Sequence, residues 1–349
     1  MKILHTSDWH LGHTLYNYDR TVEQQAFLRQ LTRIVTEEQP DAMVVSGDIY
    51  HYSSPAAATQ KMYTDAMLNI HQACPEMTIV VTAGNHDSSS KLEIDSNLWQ
   101  HFGLNVVGNI ERTAEEVNLD KHIIEINNEK KTKGYVIAVP HVYPQNFPLL
   151  DTETPRDQRQ ARFFQALLDE VKKRNTAQLP VVLMAHLSIE GSDRSGHDES
   201  IGGIEYVPLS AMGEGYDYLA LGHIHCPQDI KGSHHHARYC GTPLPVSFDE
   251  TYPHSVSIIE LEKGAEPQIS TREIENPIPL VTLPHDPTPF EDALKLLEEY
   301  PEEKPAYLRL NVLTKGYLPP PATKSLERRQ RQGMQILLHQ DYPRAAGRH

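Results

Sequence analysis

The sequence predicts an α/β fold in which layered sheets are flanked by helices. Three observations predict it. Apolar runs of strand length recur through Leu261, amphipathic helical patterns separate several of them, and five of the runs end in Asp, His or Asn. The first run, Ile3–His5, leads into Asp8-Trp9-His10. A helix is then predicted over 22–38, where Phe27, Leu28, Leu31, Ile34 and Val35 recur at three- and four-residue steps. The run at 42–46 leads into Gly47-Asp48-Ile49-Tyr50-His51. Met62, Tyr63, Ala66, Met67 and Ile70 mark a second helix, and the run at 78–82 leads into Gly84-Asn85-His86-Asp87. Further strands are expected at 105–107, 122–126 and 135–139, followed by a helix carrying Phe164, Leu167, Leu168 and Val171. The run at 181–185 ends at His186, that at 218–221 leads into Gly222-His223-Ile224-His225, and a last strand is expected at 255–261.

Composition changes after Glu275. The Pro-rich stretch NPIPLVTLPHDPTPF reads as a linker, followed by a short amphipathic helix near 290–300 and a strand at 306–313. The predicted division is a large domain over 1–275, a small, partial capping α/β domain over 276–320 and an atypical tail over 321–349. That tail is basic and Gln-rich with little apolar periodicity, and is expected to be mobile or poorly packed.

The chain has 349 residues, enough for a sizeable core, and 39% hydrophobic with 23% charged residues is the balance of a soluble globular protein. No apolar run approaches the roughly 18–20 residues that span a bilayer. The N-terminus lacks the longer apolar core of a signal peptide. Three widely spaced cysteines argue against a disulfide framework and for the reducing cytoplasm. A net charge of −15 speaks against binding a polyanion through the chain's own basic surface, unless carboxylates surround cations or a partner supplies that surface.

In layered α/β folds the loops at the C-terminal ends of strands converge on one edge, where ligands bind. Five such ends here offer Asp8, His10, Asp48, Asn85, His186, His223 and His225. Seven oxygen and nitrogen donors exceed what one four-coordinate ion with a vacancy needs, and suit two ions sharing a carboxylate. Gly47, Gly84 and Gly222 each precede a donor, where a sharp turn permits close approach. His5 and His13 lie off the pattern and read as ordinary residues. His234-His235-His236 follows Gly232-Ser233 in a polar loop and reads as solvated surface.

The order D-x-H, G-D, G-N-H-D, H, G-H-x-H resembles the signature of the calcineurin-like metallophosphoesterases. LHTSDWHLG, GDIYHYSSP and RYCGTPLPVSFDE are similar to bacterial SbcD-type nuclease subunits, over roughly 1–275 well and to about 315 loosely. The resemblance implies a four-layer β-sandwich flanked by helices. It places Asp8, His10, Asp48 and His225 around one ion, and Asp48, Asn85, His186 and His223 around a second. The family's usual ion is manganese, although mixed carboxylate and imidazole sets also accept Fe or Zn. The second motif is GDxxH here, where some relatives have GDxxD, which puts His51 near the phosphate rather than among the ligands. His86 is surplus to the metals and is the candidate proton donor to the leaving oxygen. Asp87 is the candidate partner that steadies the His86 ring and raises its pKa.

The resemblance further implies a homodimer joined to an SbcC-like ATPase. It implies 3′→5′ exonuclease action on duplex DNA ends and endonuclease action on hairpins or single strands, in DNA repair and recombination. The family pattern continues beyond this length with helices that dock on the ATPase's coiled coil, and the Gln- and Arg-rich end from about Pro321 departs from it. The metal motifs alone would also serve a phosphodiesterase of cyclic nucleotides or, with an incomplete ligand set, a metal-holding scaffold.

Overall fold

A computed structural model describes residues 1–112, 116–128, 131–195, 206–301, 303–313 and 335–341. The elements used below are, in chain order, β1 (Lys2–Thr6), α1 (Thr21–Glu38), β2 (Ala42–Ser46), α2 (Ala57–Ala73), β3 (Thr78–Thr82), β4 (Leu104–Val107), β5 (Ile123–Asn128) and β6 (Lys131–Ala138). There follow α3 (Arg159–Arg174), β7 (Val181–His186), β8 (Tyr218–Gly222), β9 (Gln228–Asp229), β10 (Ala237–Tyr239), β11 (Ser255–Glu260) and β12 (Gln268–Glu273). The last are β13 (Leu280–Pro289), α4 (Phe290–Glu299), β14 (Tyr307–Leu313) and β15 (Gln335–Asp341).

The chain forms two compact units. The first holds two six-stranded sheets, in the orders β12-β11-β1-β2-β3-β4 and β9-β10-β8-β7-β6-β5. Each has four parallel strands, with antiparallel strands added at the edges. Strand side chains alternate between faces. Ile3, Ala42, Val44 and Val80 of the first sheet therefore meet Val136, Val182, Met184 and Ala220 of the second in a shared interior. Leu4, Met43, Val45 and Val81 point the other way, onto Phe27 and Leu31 of α1 and Met67 and Ile70 of α2. Ile137, Leu183 and Leu219 likewise pack on Phe163, Phe164 and Leu167 of α3. The order helix, sheet, sheet, helix is the four-layer arrangement, and it explains why the central strands read as continuous apolar runs: both faces are covered.

The second unit comprises Leu15–Tyr18, Ser247–Asp249 and Asn276–His349. Its sheet has the order β13-β14-β15, all parallel, with α4 packed through Ala293 and Leu297 onto Leu308 and Leu310. The expected linker over 276–290 is a correction. Leu280–Pro289 is a strand, its prolines tolerated because β13 lies at the sheet's edge and its pairing skips between Leu283 and Thr288. The expectation of a loose tail over 321–349 falls largely outside the described residues. Within them, β15 pairs along β14.

Candidate metal centre

Parallel strands β1, β2, β3, β7 and β8 all release their chains in the same direction, so their C-terminal loops gather at one edge. The loops turn sharply there. Asp8, His10, Asp48 and His223 have φ of 53°, 45°, 51° and 98°, in the left-handed region, which costs a non-glycine residue about 1–3 kcal/mol each. Such strain collects at sites where direction matters more than local stability. Gly84 shows the accompanying steric demand. A Cβ there would lie 2.1 Å from Asp48 Oδ1 and 2.3 Å from the Asp48 backbone nitrogen.

Two donor groups form around the carboxylates, beside a third close group of His10, His51 and His86. Asp8, His10 and His225 bring ligand atoms within 4.8 Å of one another, and so do Asp8, Asp48 and His186. His10 Nε2 faces His225 Nε2 at 3.2 Å and lies 3.8 Å from Asp48 Oδ2. Asn85 Oδ1 stands 3.0 Å from both His186 Nε2 and His223 Nδ1, and His186 Nε2 is 3.4 Å from Asp48 Oδ2. All seven sequence-predicted donors thus come together; Asp8 belongs to both groups, and Asp48 Oδ2 also approaches His10 of the first.

The residues around the donors fix which nitrogen each imidazole presents. His186 Nδ1 donates to the Ser46 carbonyl at 2.8 Å, and His225 Nδ1 to Glu250 Oε1 at 2.8 Å. Each ring then aims Nε2 at the cluster, the usual outer support of a metal-bound histidine. Asp8 accepts from the Ser7 hydroxyl and from the His223 backbone N–H at 3.1 Å. Asp48 Oδ1 accepts the His86 backbone N–H at 2.9 Å.

The electrostatics fit a pair of divalent cations. Burial and the negative charge of Asp48 push Asp8 up to about 6. Burial works against charge on His186, but the Asp48 and Asp8 carboxylates overcome it and raise His186 to about 9. His225 is raised in the same way, by Glu250 against its burial. In the ion-free chain, protons thus gather where the carboxylates lack counter-charge. Divalent cations supply that charge and leave imidazole nitrogens facing inward as lone pairs.

His51 and His86 stack with centroids 5.2 Å apart, and the His10 ring meets His86 edge-on at 4.9 Å. His86 Nδ1 donates to the His51 carbonyl at 2.8 Å, which fixes its ring and leaves Nε2 available. The Asp87 expectation is a correction. Its buried carboxylate accepts backbone N–H bonds from Gly84, Ile49 and Tyr50 at 2.8, 3.1 and 2.9 Å. It ties the loop after β3 to the loop after β2 and does not hold the His86 ring. Burial and Asp48 push it up to about 6 while those backbone bonds oppose the rise.

His51 Nδ1 lies 3.3 Å from His10 Nδ1, so it supports a donor while its ring lies on His86. His13, read as ordinary, packs its ring against His51 at 4.6 Å. His5 is a core histidine bonded to the Tyr218 hydroxyl at 2.9 Å. Sequence reasoning passed over Glu250, whose second oxygen accepts from Thr242 Oγ1 at 3.0 Å. The resembling segment RYCGTPLPVSFDE contains it, and its buried carboxylate is the signal that segment carries.

Residues 1–227, which include every donor, match the family model described as calcineurin-like phosphoesterase. The SbcD chain of the SbcCD nuclease of Rhodobacter capsulatus is 33% identical over 309 residues, 85% of this chain and 75% of that protein. Its namesake from Escherichia coli K12 is 29% identical over 330 residues, 91% and 79% of the two chains. That from Bacillus subtilis is 31% identical over 277 residues, 76% and 68%. The chain belongs to the calcineurin-like phosphoesterase family, metal-dependent hydrolases of phosphate esters, and within it to the SbcD branch.

Proposed function

We propose that this chain is the nuclease subunit of an SbcCD-type complex, cleaving DNA phosphodiesters with two divalent cations, manganese by preference. Asp8, His10, Asp48 and His225 would hold one cation, and Asp48, Asn85, His186 and His223 the other. Bound there, the pair supplies charge neutralisation for the phosphodiester and lowers the pKa of a water nucleophile. The chain's own residues do the rest. His86 gives a proton from Nε2 to the departing 3′ oxygen, its ring held by the His51 carbonyl. His51 lies against that ring and faces the phosphate. Asp87 positions both loops through backbone N–H groups and touches no reacting atom.

The observation that carries this reading is a ring surplus to the ligand set, lodged beside the ligands and anchored by a backbone carbonyl. On this reading the enzyme shortens duplex ends 3′→5′ and opens hairpins or single strands. The second unit orients duplex DNA, and an SbcC-like ATPase supplies the basic surface that a net charge of −15 withholds. Self-association into a homodimer belongs to the same reading. Three free cysteines support a reducing cytoplasm, and no described helix is long and apolar enough to cross a membrane.

The test incubates purified chain and Mn²⁺ with blunt duplex, hairpin, a cyclic nucleotide and bis-nitrophenyl phosphate, with and without the ATPase partner. Shortening of the duplex and opening of the hairpin are expected. Hydrolysis of the cyclic nucleotide with intact DNA would replace this reading by that of a small-molecule phosphodiesterase.

A further inference from the structure

A cavity of about 340 Å³ lies beside the metal centre, within the size range of small-ligand sites. His186 and His223, two donors of the second group, form part of its wall. The segment after β6 forms another part, including Val142, Tyr143 and Phe147, and Phe164 of α3 and Val207 contribute apolar surface. Tyr143 is 44% exposed and meets the His141 ring edge-on at 5.0 Å. Two further lining residues carry polar atoms that lack a hydrogen-bond partner among the described residues: Ser188 Oγ and His141 Nε2. Ser188 is 3% exposed, so an unpaired hydroxyl there is costly unless something else serves it.

We infer that this cavity receives the nucleobase of the nucleotide adjoining the scissile phosphate. The inference rests on the nuclease reading and deepens it. A group seated here shares two walls with the site that grips the phosphate, so it is an attached part of the same substrate. Aromatic and apolar walls fit a flat ring. A nucleobase is such a ring, and every base has a stacking face, which makes such a pocket tolerant of sequence. The cavity therefore draws the base out of its stack while the phosphate is held, a cost that is smallest at a frayed end or a hairpin loop.

The test uses 2-aminopurine deoxyribonucleoside 5′-monophosphate with the Mn²⁺-loaded chain, read by quenching of the base's fluorescence. Quenching by the wild type is expected, with binding weakened at least about tenfold in Val142→Trp, which fills the cavity. Tyr143→Ala, at the exposed rim, is expected to weaken it about threefold and guards against misfolding of the first variant. Absent quenching in the wild type, or equal quenching in all three, overturns the inference. A second arm compares cleavage of a duplex end carrying a base or an abasic analogue beside the scissile bond. The wild type is expected to favour the base about tenfold and Val142→Trp to bring the ratio near one; an unchanged ratio overturns the inference. Quenching without any DNA cleavage would instead leave the pocket standing and remove the nuclease reading.

Discussion

His86 and Asp87 are neighbours in sequence and do different work. The backbone turns between them, so His86 enters the site while Asp87 folds back under the loops. Adjacency in sequence therefore misassigns Asp87, while His86, which the ligand count sets apart from the metals, stands in a close group with His10 and His51. His86→Asn should keep two cations bound and lower DNA cleavage by about 10²–10⁴-fold. Metal analysis beside a nuclease assay checks this, and full activity in a two-metal variant removes the proton-donor role. Glu250 was not legible because its partner, His225, lies 25 residues earlier and meets it only after the intervening chain has folded back. Glu250→Ala should weaken the first cation about 10–100-fold, with Glu250→Gln intermediate. A Mn²⁺ titration followed by electron paramagnetic resonance reads both constants, and unaltered affinity in Glu250→Ala would show that His225 needs no such support.

Elements buried on both faces were the most legible. The strands ending in ligands are mostly apolar and buried at nearly every position, and their expected positions match β2 and β3 residue for residue. Edge strands were not. Gln268–Glu273 has a largely exposed side and no apolar alternation, and Leu280–Pro289 hides strand pairing behind prolines that an edge tolerates. The ligand loops were legible through their glycines, and Gly84 offers the sharpest test. Its missing Cβ makes room for the Asp48 carboxylate and backbone, neither of which can retreat without moving a donor that faces both His10 and His186. Gly84→Ala should cut cleavage at least about 100-fold with circular dichroism unchanged. Retained activity would mean that the loop after β3 is free to shift.

At the scale of the molecule, two sheets with a shared interior hold one edge rigid enough to keep four strained residues in place. The layer under α3 holds a polar group in its neutral form, His122, whose ring meets Phe163 edge-on at 5.4 Å. Burial, with Lys121 adding to it, pulls His122 down to about 4, against its bond to the Ala138 carbonyl and the charges of Glu93 and Glu111. The folded value lies below the unfolded one, so the unfolded chain takes up the proton first as pH falls. His122 should therefore cost about 2 kcal/mol of stability by pH 5 relative to pH 7. Urea unfolding in chelator checks this, with a flatter decline in His122→Phe; an equal slope in both chains would place the loss elsewhere. The net charge and the metal motifs pull the functional reading in opposite directions, and the convergence of seven donors at one edge is what favours the motifs. On the proposed assignment that convergence turns on Asp48, whose Oδ2 lies 3.4 Å from His186 Nε2 and 3.8 Å from His10 Nε2. The most direct measurement is the metal content of Asp48→Ala beside the wild type after dialysis in Mn²⁺. Two ions per chain in the wild type and none tightly held in Asp48→Ala is the predicted result. Two ions retained by the variant would contradict a centre built around Asp48.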